Sequence, residues 1–548
     1  MTNRMTYTTT ESSGWAGRRT SSEDNSIDAK KHYAYREEEV RTLGAAEHAA
    51  RLHSSSVTNF PHTAFAVSTS EKGGGGGRLI VVSNRVALPR DVRAGGLASA
   101  LKGALAEQGG IWFGWSGEIS SQPRFDVQAD PVHPIRYATL DLEREDYEDY
   151  YAGFANRVLW PLFHYRLHLL DFHRETLAAY RRVSAKFAER LVDMIEPDDT
   201  IWVHDYHLIP LGAALRSRGV TSRIGFFLHT PMAPPELMQS LPHHRDLMSA
   251  FSAYDLVGFQ TDADKDSFVN YCVRELNAGV EEGGERLRID RHTFRVGTFP
   301  VSIDTAHIQA LGQRAASSTA VKRLQESLDD RTLLVGVDRL DYSKGLPERF
   351  HSFARLLKRY PDLQRCVMLL QIAPPSRGDL PEYRDLRHNL EKIAGSINSE
   401  FADPDWTPIR YVNKSYQHAS LAGFYRAARV GLVTPFRDGM NLVAKEYVAS
   451  QDPENPGVLV LSRFAGAAQE LTEALLVNPF DGDQMVEALR QALTMPLGER
   501  KRRWQHMMEH LHTNDVTAWR KRFLHALRGS VAEVEGTTGE RSAQSGVA

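Results

Sequence analysis

The stretch Arg437-Asp438-Gly439-Met440-Asn441-Leu442-Val443-Ala444-Lys445-Glu446 follows an apolar run, residues 430–434, that predicts a short buried strand. A proline and a glycine break this strand into a loop, and a helical pattern then covers residues 442–449. Because the first N–H groups of a helix lack backbone partners and the helix dipole adds partial positive charge, the turn can bind an anion. Asp438 and Glu446 flank the helix start and can bind hydroxyl groups. The stretch predicts a site for a nucleotide-sugar, and the alternative is an ordinary turn in which Asp438 caps the helix.

Composition and charge are typical of a soluble globular protein. The 548 residues allow two or three domains, with 42% hydrophobic and 25% charged residues. The net charge of −3 gives no indication of binding to nucleic acid or to an anionic membrane. The sequence has neither a membrane-spanning apolar run nor a signal-peptide pattern. We expect a cytoplasmic protein in which the two cysteines, Cys272 and Cys366, are reduced and buried.

Both ends of the chain differ from its middle. Residues 1–77 are rich in Ser and Thr, have weak apolar periodicity apart from a helical pattern at 37–52, and end in a run of glycines. This composition predicts a disordered arm with a flexible hinge, and a mis-assigned start codon is an equal alternative. We assign the arm no chemistry, and we expect residues 531–548 to form a disordered tail.

From Arg78 onward, apolar strand patterns alternate with helical patterns. The predicted strands of the first half cover residues 79–83, 111–115, 200–205, 223–229, 256–260 and 294–299. Helical patterns cover residues 97–108, 171–195 and 208–218 and a segment that begins near 263. Asp205 and His229 fall at the carboxyl ends of two of these strands, which is the edge where open α/β sheets bind ligands.

The second half repeats the alternation, with predicted strands at residues 333–337, 367–372, 430–434 and 458–462. Arg339 and Lys344 share one loop after the first of these strands, where they can neutralise a diphosphate leaving group. A solvated basic loop is the alternative. Arg85 and Arg377 each follow a strand in a different half and could close on one phosphate from two sides.

The simplest architecture is an α/β protein of two Rossmann-like, doubly wound domains that face each other across a cleft. We expect domains at residues 78–304 and 305–512, and an amphipathic helix at 513–530 that packs back on the first domain. The pattern Asp262-Ala-Asp264 resembles a metal–diphosphate motif, but the same spacing occurs at 403–405 and 481–483. We therefore interpret Asp262 as a helix cap and expect neither a metal nor an organic cofactor.

Eight motifs between Val81 and Glu446 carry a resemblance to a known family, and the resemblance covers the chain from Arg78 to about Leu527. They are Val81-Val-Ser-Asn-Arg85, Gly95-Gly-Leu97, Trp112-Phe-Gly-Trp115, Asn156-Arg-Val-Leu-Trp-Pro161, His204-Asp-Tyr-His207, Arg339-Leu-Asp-Tyr-Ser-Lys-Gly345, Gln371-Ile-Ala-Pro-Pro-Ser-Arg-Gly378 and the opening stretch. On these motifs the chain resembles the trehalose-6-phosphate synthases, which are retaining glycosyltransferases of the two-Rossmann-domain (GT-B) class.

The resemblance implies an acceptor site and a donor site. The acceptor residues for glucose 6-phosphate would be Arg85, Tyr151 and Arg377 at the phosphate, with Trp115 nearby, Trp160 at the sugar pocket and Asp205 at the sugar hydroxyls. The donor residues would be Gly95, Gly96, Arg339 and Lys344 at the phosphates, Asp438 at the glucose, Asn441, Leu442, Val443, Ala444 and Lys445 along the helix start, Glu446 at the ribose and Tyr416 at the base. His229 would bind the donor glucose, and the implied catalytic set is Asp205, His229, Arg339 and Lys344.

The implied reaction moves glucose from a nucleoside diphosphate glucose, with UDP-glucose as the expected donor, to glucose 6-phosphate and gives α,α-trehalose 6-phosphate. Alternatives are a sister enzyme that uses glycerol 3-phosphate, a pyridoxal-phosphate-dependent phosphorylase and a non-catalytic nucleotide-sugar sensor. The family's usual His-Ile-Pro-Phe-Pro is His229-Thr-Pro-Met-Ala233 here, so Thr230 and Met232 are expected to affect selectivity. The sequence does not decide between UDP-, GDP- and ADP-glucose, and a homo-oligomer is one open expectation.

Overall fold

The computed structural model of the chain describes residues 77–89, 96–378 and 380–529. Residues 1–76 of the predicted arm, with its helical pattern at 37–52, the tail at 531–548 and Gly95 lie outside the described residues. All of the described residues belong to one compact unit.

The first sheet has ten strands within the described residues. They are β1 (Leu79–Arg85), β2 (Gly110–Ile119), β3 (Phe125–Ala129), β4 (Ile135–Leu142), β5 (Thr200–His204), β6 (Arg223–Phe227), β7 (Leu256–Phe259), β8 (Gly279–Glu281), β9 (Arg286–Ile289) and β10 (His292–Thr298). Their order is β3-β4-β2-β1-β5-β6-β7-β10-β9-β8. The strands from β4 to β10 in this order pair in parallel, and the edge strands β3, β9 and β8 pair antiparallel.

The second sheet has six parallel strands within the described residues. They are β11 (Thr332–Val337), β12 (Val367–Ile372), β13 (Ile409–Val412), β14 (Val430–Val433), β15 (Val458–Ser462) and β16 (Leu475–Val477), in the order β13-β12-β11-β14-β15-β16. All pairings are parallel, so the polar residues that follow these strands gather at one edge. The predicted α/β fold with two doubly wound sheets is confirmed.

Helices cover both sheets. They are α1 (Gly96–Gln108), α2 (Arg144–Asp146), α3 (Trp160–Phe163), α4 (Arg174–Val192), α5 (Leu211–Arg216), α6 (Pro235–Met238), α7 (His244–Ser249), α8 (Asp262–Leu276), α9 (Thr305–Ala315), α10 (Thr319–Glu326), α11 (Leu346–Arg359), α12 (Pro381–Phe401), α13 (His418–Ala427), α14 (Leu442–Ser450), α15 (Gly482–Thr494), α16 (Leu497–Thr513) and α17 (Val516–Gly529). A π-helix, Tyr147–Leu159, joins α2 to α3, and 3₁₀ turns include Tyr206–Leu208, Tyr342–Lys344 and Gly466–Gln469.

Alternation along the strands divides the buried apolar side chains into three clusters. Ile80 and Val82 of β1 face a cluster with the π-helix and α4, whereas Leu79 and Val81 face the opposite cluster. That second cluster also contains residues of the second sheet and of α17, so it fills the space between the two sheets. A third cluster lies on the outer face of the second sheet under α11, α12 and α15.

The last helix, α17, packs on the first sheet. Its Trp519 and Phe523 rings lie 5.0 and 4.7 Å from the ring of Trp202 on β5. Two strands carry a glycine beneath this helix, since a Cβ on Gly225 would lie 2.8 Å from Leu527 and one on Gly258 2.7 Å from Phe523. The two glycines therefore allow the helix to approach the sheet closely.

Three local expectations are wrong. Cys366 is exposed although Cys272 is buried, because Cys366 precedes β12 at the solvent end of the sheet and the apolar run begins only with the next residue. Thr261, not Asp262, caps α8, because its side chain accepts a hydrogen bond from the Asp264 N–H. The helix expected at 208–218 is divided into the 3₁₀ turn at Tyr206–Leu208 and the shorter α5, because Pro210 lies between them. Among the described residues, we find no helix that combines the length and the apolar character needed to cross a membrane.

Candidate active site

The loop after β14 adopts a backbone that depends on its particular residues. Asn441 has a φ of 73°, which is a left-handed conformation that asparagine tolerates well, and α14 begins at the next residue. A Cβ on Gly439 would overlap the carbonyl oxygen of His229, so only glycine lets this loop touch the end of β6. The loop therefore brings the second sheet into direct contact with the first.

The carboxylate of Asp438 is held by two side chains of the second sheet. Lys344 Nζ donates to Asp438 Oδ2 at 2.5 Å, and Asn441 Nδ2 donates to the same oxygen at 2.9 Å. Asp438 makes no side-chain capping bond to α14, so the alternative of a simple helix cap is wrong. The carboxylate is placed and charge-paired, with hydrogen-bonding capacity left for a ligand hydroxyl.

Arg339 and Lys344 share the loop after β11 but lie in different environments. Lys344 is buried and paired with Asp438. Arg339 is exposed, and its guanidinium lies 5.8 Å from the ring of Trp160. Within the described part of the chain we find no hydrogen bond or ion pair from the Arg339 side chain, so its donors remain free for a ligand anion.

Asp205 and His229 come together at the carboxyl ends of the neighbouring strands β5 and β6. Asp205 Oδ1 accepts a hydrogen bond from the His229 backbone N–H at 3.2 Å, and Asp205 itself has a φ of 75°. Burial raises the pKa of the Asp205 carboxyl to about 6, although backbone N–H groups and Arg377 oppose the shift. Burial lowers the pKa of His229 to about 3, so its imidazole is neutral at physiological pH.

Arg377 is the centre of a buried polar cluster. Its Nη1 donates to Asp341 Oδ2 at 3.2 Å and to the Tyr383 hydroxyl at 2.5 Å, and its Nη2 donates to the Tyr206 hydroxyl at 3.2 Å. The guanidinium lies 3.9 Å from the centre of the Trp160 ring. Since Tyr206 and Trp160 belong to the first sheet's side, these contacts join the two halves of the cleft.

A row of aromatic rings continues from this cluster along the first sheet. Tyr151 stacks on His207 at 5.9 Å and lies 5.4 Å from Trp115. Arg85 ends β1 beside Trp115, and its guanidinium occupies the space that a Cβ on Gly117 would need. The structure therefore places Arg85, Trp115 and Tyr151 along one surface of the first sheet.

Glu446 lies on α14 beside a partner that the sequence did not reveal. His418 Nε2 lies 3.1 Å from Glu446 Oε1, and this hydrogen bond raises the pKa of His418. A cavity of about 690 Å³ opens beside the pair, and Ser302 and Arg520 also line it. Tyr416 lies near the start of the same helix as His418, with its ring 5.3 Å from Phe424 and the Lys414 ammonium 5.1 Å away.

Lys445 and Ala444, two of the predicted donor residues, direct their hydrogen bonds to other residues of the protein. The Lys445 side chain is fully buried and donates to the Val301 carbonyl at 2.8 Å and to Glu470 Oε2 at 2.6 Å, so it points away from the loop. The Ala444 N–H donates to the Asn441 carbonyl at 3.3 Å. The ammonium of Lys445 therefore ties α14 to the segment between the two sheets.

Several site residues lacked a sequence signal that would have assigned them. Tyr206 and Tyr383 bind Arg377 from opposite sheets, and only the fold brings them together. Arg437, which opens the stretch quoted first, donates to the Met232 carbonyl at 3.1 Å and lies 4.1 Å from the Tyr165 ring. It is thus a contact between the two halves of the cleft.

The two positions that depart from the usual family motif are both buried. Met232 packs in the first core, and its backbone N–H donates to Asp264 Oδ1 at 2.8 Å. The Thr230 hydroxyl is buried without a hydrogen-bond partner in the part of the chain that the structure describes. In that same part, no group of three or more His, Cys, Asp or Glu side chains is arranged to hold a metal ion.

Comparisons with known proteins agree with this geometry. A trehalose-6-phosphate synthase of Sinorhizobium fredii is 49% identical over 461 residues, which cover 83% of this chain and 98% of that protein. A crystal structure of an α,α-trehalose-phosphate synthase (UDP-forming) from Burkholderia xenovorans, in complex with glucose-6-phosphate, is 49% identical and matches with a TM-score of 0.81, covering 83% of this chain and all of that one. An E. coli structure bound with UDP-2-fluoro glucose is 44% identical, with a TM-score of 0.78 over 82% of this chain and 99% of that one. Residues 81–529 match glycosyltransferase family 20, and the chain belongs to that family.

Proposed function

We propose that this enzyme transfers glucose from UDP-glucose to glucose 6-phosphate and releases α,α-trehalose 6-phosphate and UDP. The observation that carries the proposal is the contact of one indole, Trp160, with both Arg377 and Arg339, at 3.9 and 5.8 Å from its ring. The cleft thus holds two guanidiniums close together, one for the acceptor phosphate and one for the diphosphate that leaves. The glucose-6-phosphate and UDP-2-fluoro glucose bound by the two related structures support the same pair of substrates.

The acceptor binds through the first sheet and Arg377. Arg377 is fixed by Asp341, Tyr383 and Tyr206 before any ligand arrives, which reduces the conformational entropy lost on binding. Arg85 and Tyr151 complete the phosphate site, and Trp115 supports the Tyr151 ring. Trp160 forms a wall of the sugar pocket, and Asp205 binds a sugar hydroxyl at the point where the new bond forms.

The donor binds through the second sheet and the backbone at α1. Asp438 binds hydroxyls of the donor glucose, and the backbone N–H groups of Asn441, Leu442 and Val443 at the start of α14 bind a phosphate. Glu446 binds the ribose with His418 as its partner, and Tyr416 lies beside the base. His229 binds the donor glucose from the first sheet. Gly96 begins α1 and presents backbone to the donor phosphates.

The α configuration of the donor is retained through a front-side reaction. A two-step route would need a carboxylate nucleophile below the anomeric carbon. Asp438 is paired with Lys344 and Asn441 and is assigned to the donor hydroxyls, and we assign no carboxylate to the position below the anomeric carbon. The leaving phosphate instead takes the acceptor proton while Arg339 and Lys344 stabilise its developing charge.

A donor and acceptor panel tests the proposal. Release of the nucleoside diphosphate is measured with UDP-, GDP- and ADP-glucose, each combined with glucose 6-phosphate or with glycerol 3-phosphate. We expect the highest kcat/KM for UDP-glucose with glucose 6-phosphate. Faster turnover with glycerol 3-phosphate would assign the sister activity, and donor binding in calorimetry without any turnover would identify a sensor. A chromophore at visible wavelengths would indicate a pyridoxal-phosphate enzyme.

A further inference from the structure

The imidazole of His229 has a hydrogen-bonding neighbour at each ring nitrogen. Its Nε2 lies 3.0 Å from Nδ1 of His204, and its Nδ1 lies 3.5 Å from Nε2 of Gln260. His204 and Gln260 are almost completely buried, each with about 1% of its surface exposed. Because a neutral imidazole has one donor and one acceptor nitrogen, these neighbours decide which nitrogen carries the proton.

The orientation of the Gln260 amide is fixed by the backbone of the segment between the two sheets. The Val301 N–H donates to Gln260 Oε1 at 3.0 Å. The amide therefore directs its NH₂ group, and not its oxygen, at Nδ1 of His229. A flipped amide would place its NH₂ against the Val301 N–H, so two donors would face each other.

This orientation of the Gln260 amide determines which ring nitrogen carries the proton in His229 and in His204. His229 Nδ1 accepts from Gln260, so the His229 proton lies on Nε2 and is donated to Nδ1 of His204. The His204 proton then lies on its own Nε2, which is buried and has no hydrogen-bond partner in the described part of the chain. The opposite tautomer would set the Nδ1–H of His229 against the amide NH₂ of Gln260.

We propose that Gln260 is a positioning residue that fixes His229 as the neutral Nε2–H tautomer, so that the ring offers a hydrogen-bond donor to a hydroxyl oxygen of the bound hexosyl donor. The inference rests on the proposed function for the identity of that hydroxyl. In the free enzyme the Nε2–H group donates to His204, and a sugar oxygen competes for the same hydrogen.

The surroundings of His229 keep the ring neutral. Among the described residues, the titratable groups that we find beside it are His204 on β5 and Asp205, whose carboxylate accepts from the His229 backbone and not from its ring. The apolar neighbours of the ring are Trp519 of α17 at 6.3 Å and Phe227 of β6 at 4.7 Å, and the loop before α14 contacts the His229 backbone carbonyl through Gly439. No carboxylate among the described residues bonds to the ring, which agrees with the lowered pKa of His229.

Neutron diffraction from crystals of the full chain, exchanged into D₂O, tests the tautomer directly. We expect deuterium on Nε2 of His229 and on Nε2 of His204. Deuterium on Nδ1 of His229 would overturn the proposal. This readout requires no activity, so it separates the tautomer from the proposed function: an inactive protein with the expected deuterium positions would refute the reaction and leave the tautomer correct.

Two substitutions test the consequence for activity. Gln260→Leu removes the amide, and we expect kcat/KM for UDP-glucose to fall about 3- to 10-fold, with the KM for glucose 6-phosphate unchanged. Gln260→Glu keeps the acceptor for Val301 but places a carboxylate oxygen at His229 Nδ1, which draws the proton to that nitrogen and raises the pKa of the ring. We expect the kcat/KM profile to gain an acid-side inflection between about pH 5 and 8 in addition to the one that Asp205, with its pKa of about 6, gives the wild-type enzyme.

Gln451 provides a matched control. It is as buried as Gln260 and uses its amide to bond the backbone of Gly457, Tyr425 and Tyr447, away from His229. Gln451→Glu should lower the melting temperature without a new inflection. If Gln260→Glu gives a profile that superimposes on wild type, or if Gln260→Leu lowers only the melting temperature, Gln260 is merely structural and the proposal is wrong.

Discussion

We expect the substitution Arg339→Ala to lower turnover while leaving the stability of the fold nearly unchanged. Arg339 is exposed, and the one contact that we find for its side chain in the described structure is the Trp160 ring at 5.8 Å. Removing it leaves no buried polar group without a partner. We therefore expect the free energy of unfolding to change by no more than about 0.5 kcal/mol.

The effect on turnover should be far larger. A charge-assisted donor aimed at the developing charge of a transition state contributes about 10²- to 10³-fold to kcat. That factor corresponds to about 2.7–4 kcal/mol of transition-state stabilisation, several times the expected change in stability. UDP release with both UDP-glucose and glucose 6-phosphate saturating gives kcat, and urea unfolding gives stability. Arg314→Ala, at an exposed arginine on α9, is the matched control and should alter neither.

Lys344→Ala should behave differently although it removes a cation from the same loop. Lys344 is buried and pairs with Asp438, so its loss leaves a partly buried carboxylate with the Asn441 amide but without a cation. We expect both turnover and stability to fall.

If Arg339→Ala retains turnover within about threefold of wild type, or loses activity only in proportion to unfolded protein, Arg339 does not stabilise the leaving group.

Three further substitutions test other parts of the site. Burial raises the pKa of Asp205 from 3.8 to about 6, so the folded state holds this proton more tightly and its stability falls as pH rises through that range. Asp205→Asn should therefore raise the free energy of unfolding by about 1–3 kcal/mol at pH 7.5 but leave it unchanged below pH 4. The same substitution should raise the KM for the acceptor. Urea unfolding at both pH values checks the sign, and a stability difference that does not depend on pH would contradict it. Lys445→Met breaks a buried pair with Glu470 and should cost about 3–5 kcal/mol of stability, with the donor KM of the folded enzyme within about threefold of wild type. A large rise in donor KM at unchanged melting temperature would make Lys445 a phosphate ligand after all. Gly439→Ala would force the loop away from the His229 carbonyl, and we expect a loss of about 1–3 kcal/mol in stability together with a higher donor KM; a crystal structure with an unmoved loop would refute this.

Sequence patterns predicted the elements that carry long apolar runs. The strand before Asp438, the strand ending at His204 and the strand before Arg339 all occur within one or two residues of their predicted positions. Parallel strands place their carboxyl ends at one edge, so Asp205 and His229 could be placed together from the pattern alone. Such predictions succeed because burial determines the spacing of apolar residues along a strand, and the end of the strand determines where the next polar side chains lie.

The directions in which the side chains point could not be predicted from the sequence. Lys445 belongs to the quoted stretch and lies one residue from Glu446, yet its ammonium reaches Val301 and Glu470 on the opposite face of the helix. Adjacent helical residues differ by about 100° in direction, so a motif that lists them together does not give them one role. Tyr206 and Tyr383 meet at Arg377 only because the two sheets face each other, and no local pattern contains that contact.

The structure of the product tests the central claim most directly. The enzyme is incubated with UDP-glucose labelled with ¹³C in its glucose and with unlabelled glucose 6-phosphate, and the product is analysed by NMR. We predict one disaccharide phosphate in which the glycosidic oxygen joins the two anomeric carbons. The anomeric carbon of the ¹³C-labelled glucose and the anomeric carbon of the unlabelled residue should both have the α configuration. A β configuration at the labelled carbon, a linkage to any other oxygen of the acceptor, or labelled glucose released into water without a disaccharide would contradict retaining transfer to glucose 6-phosphate.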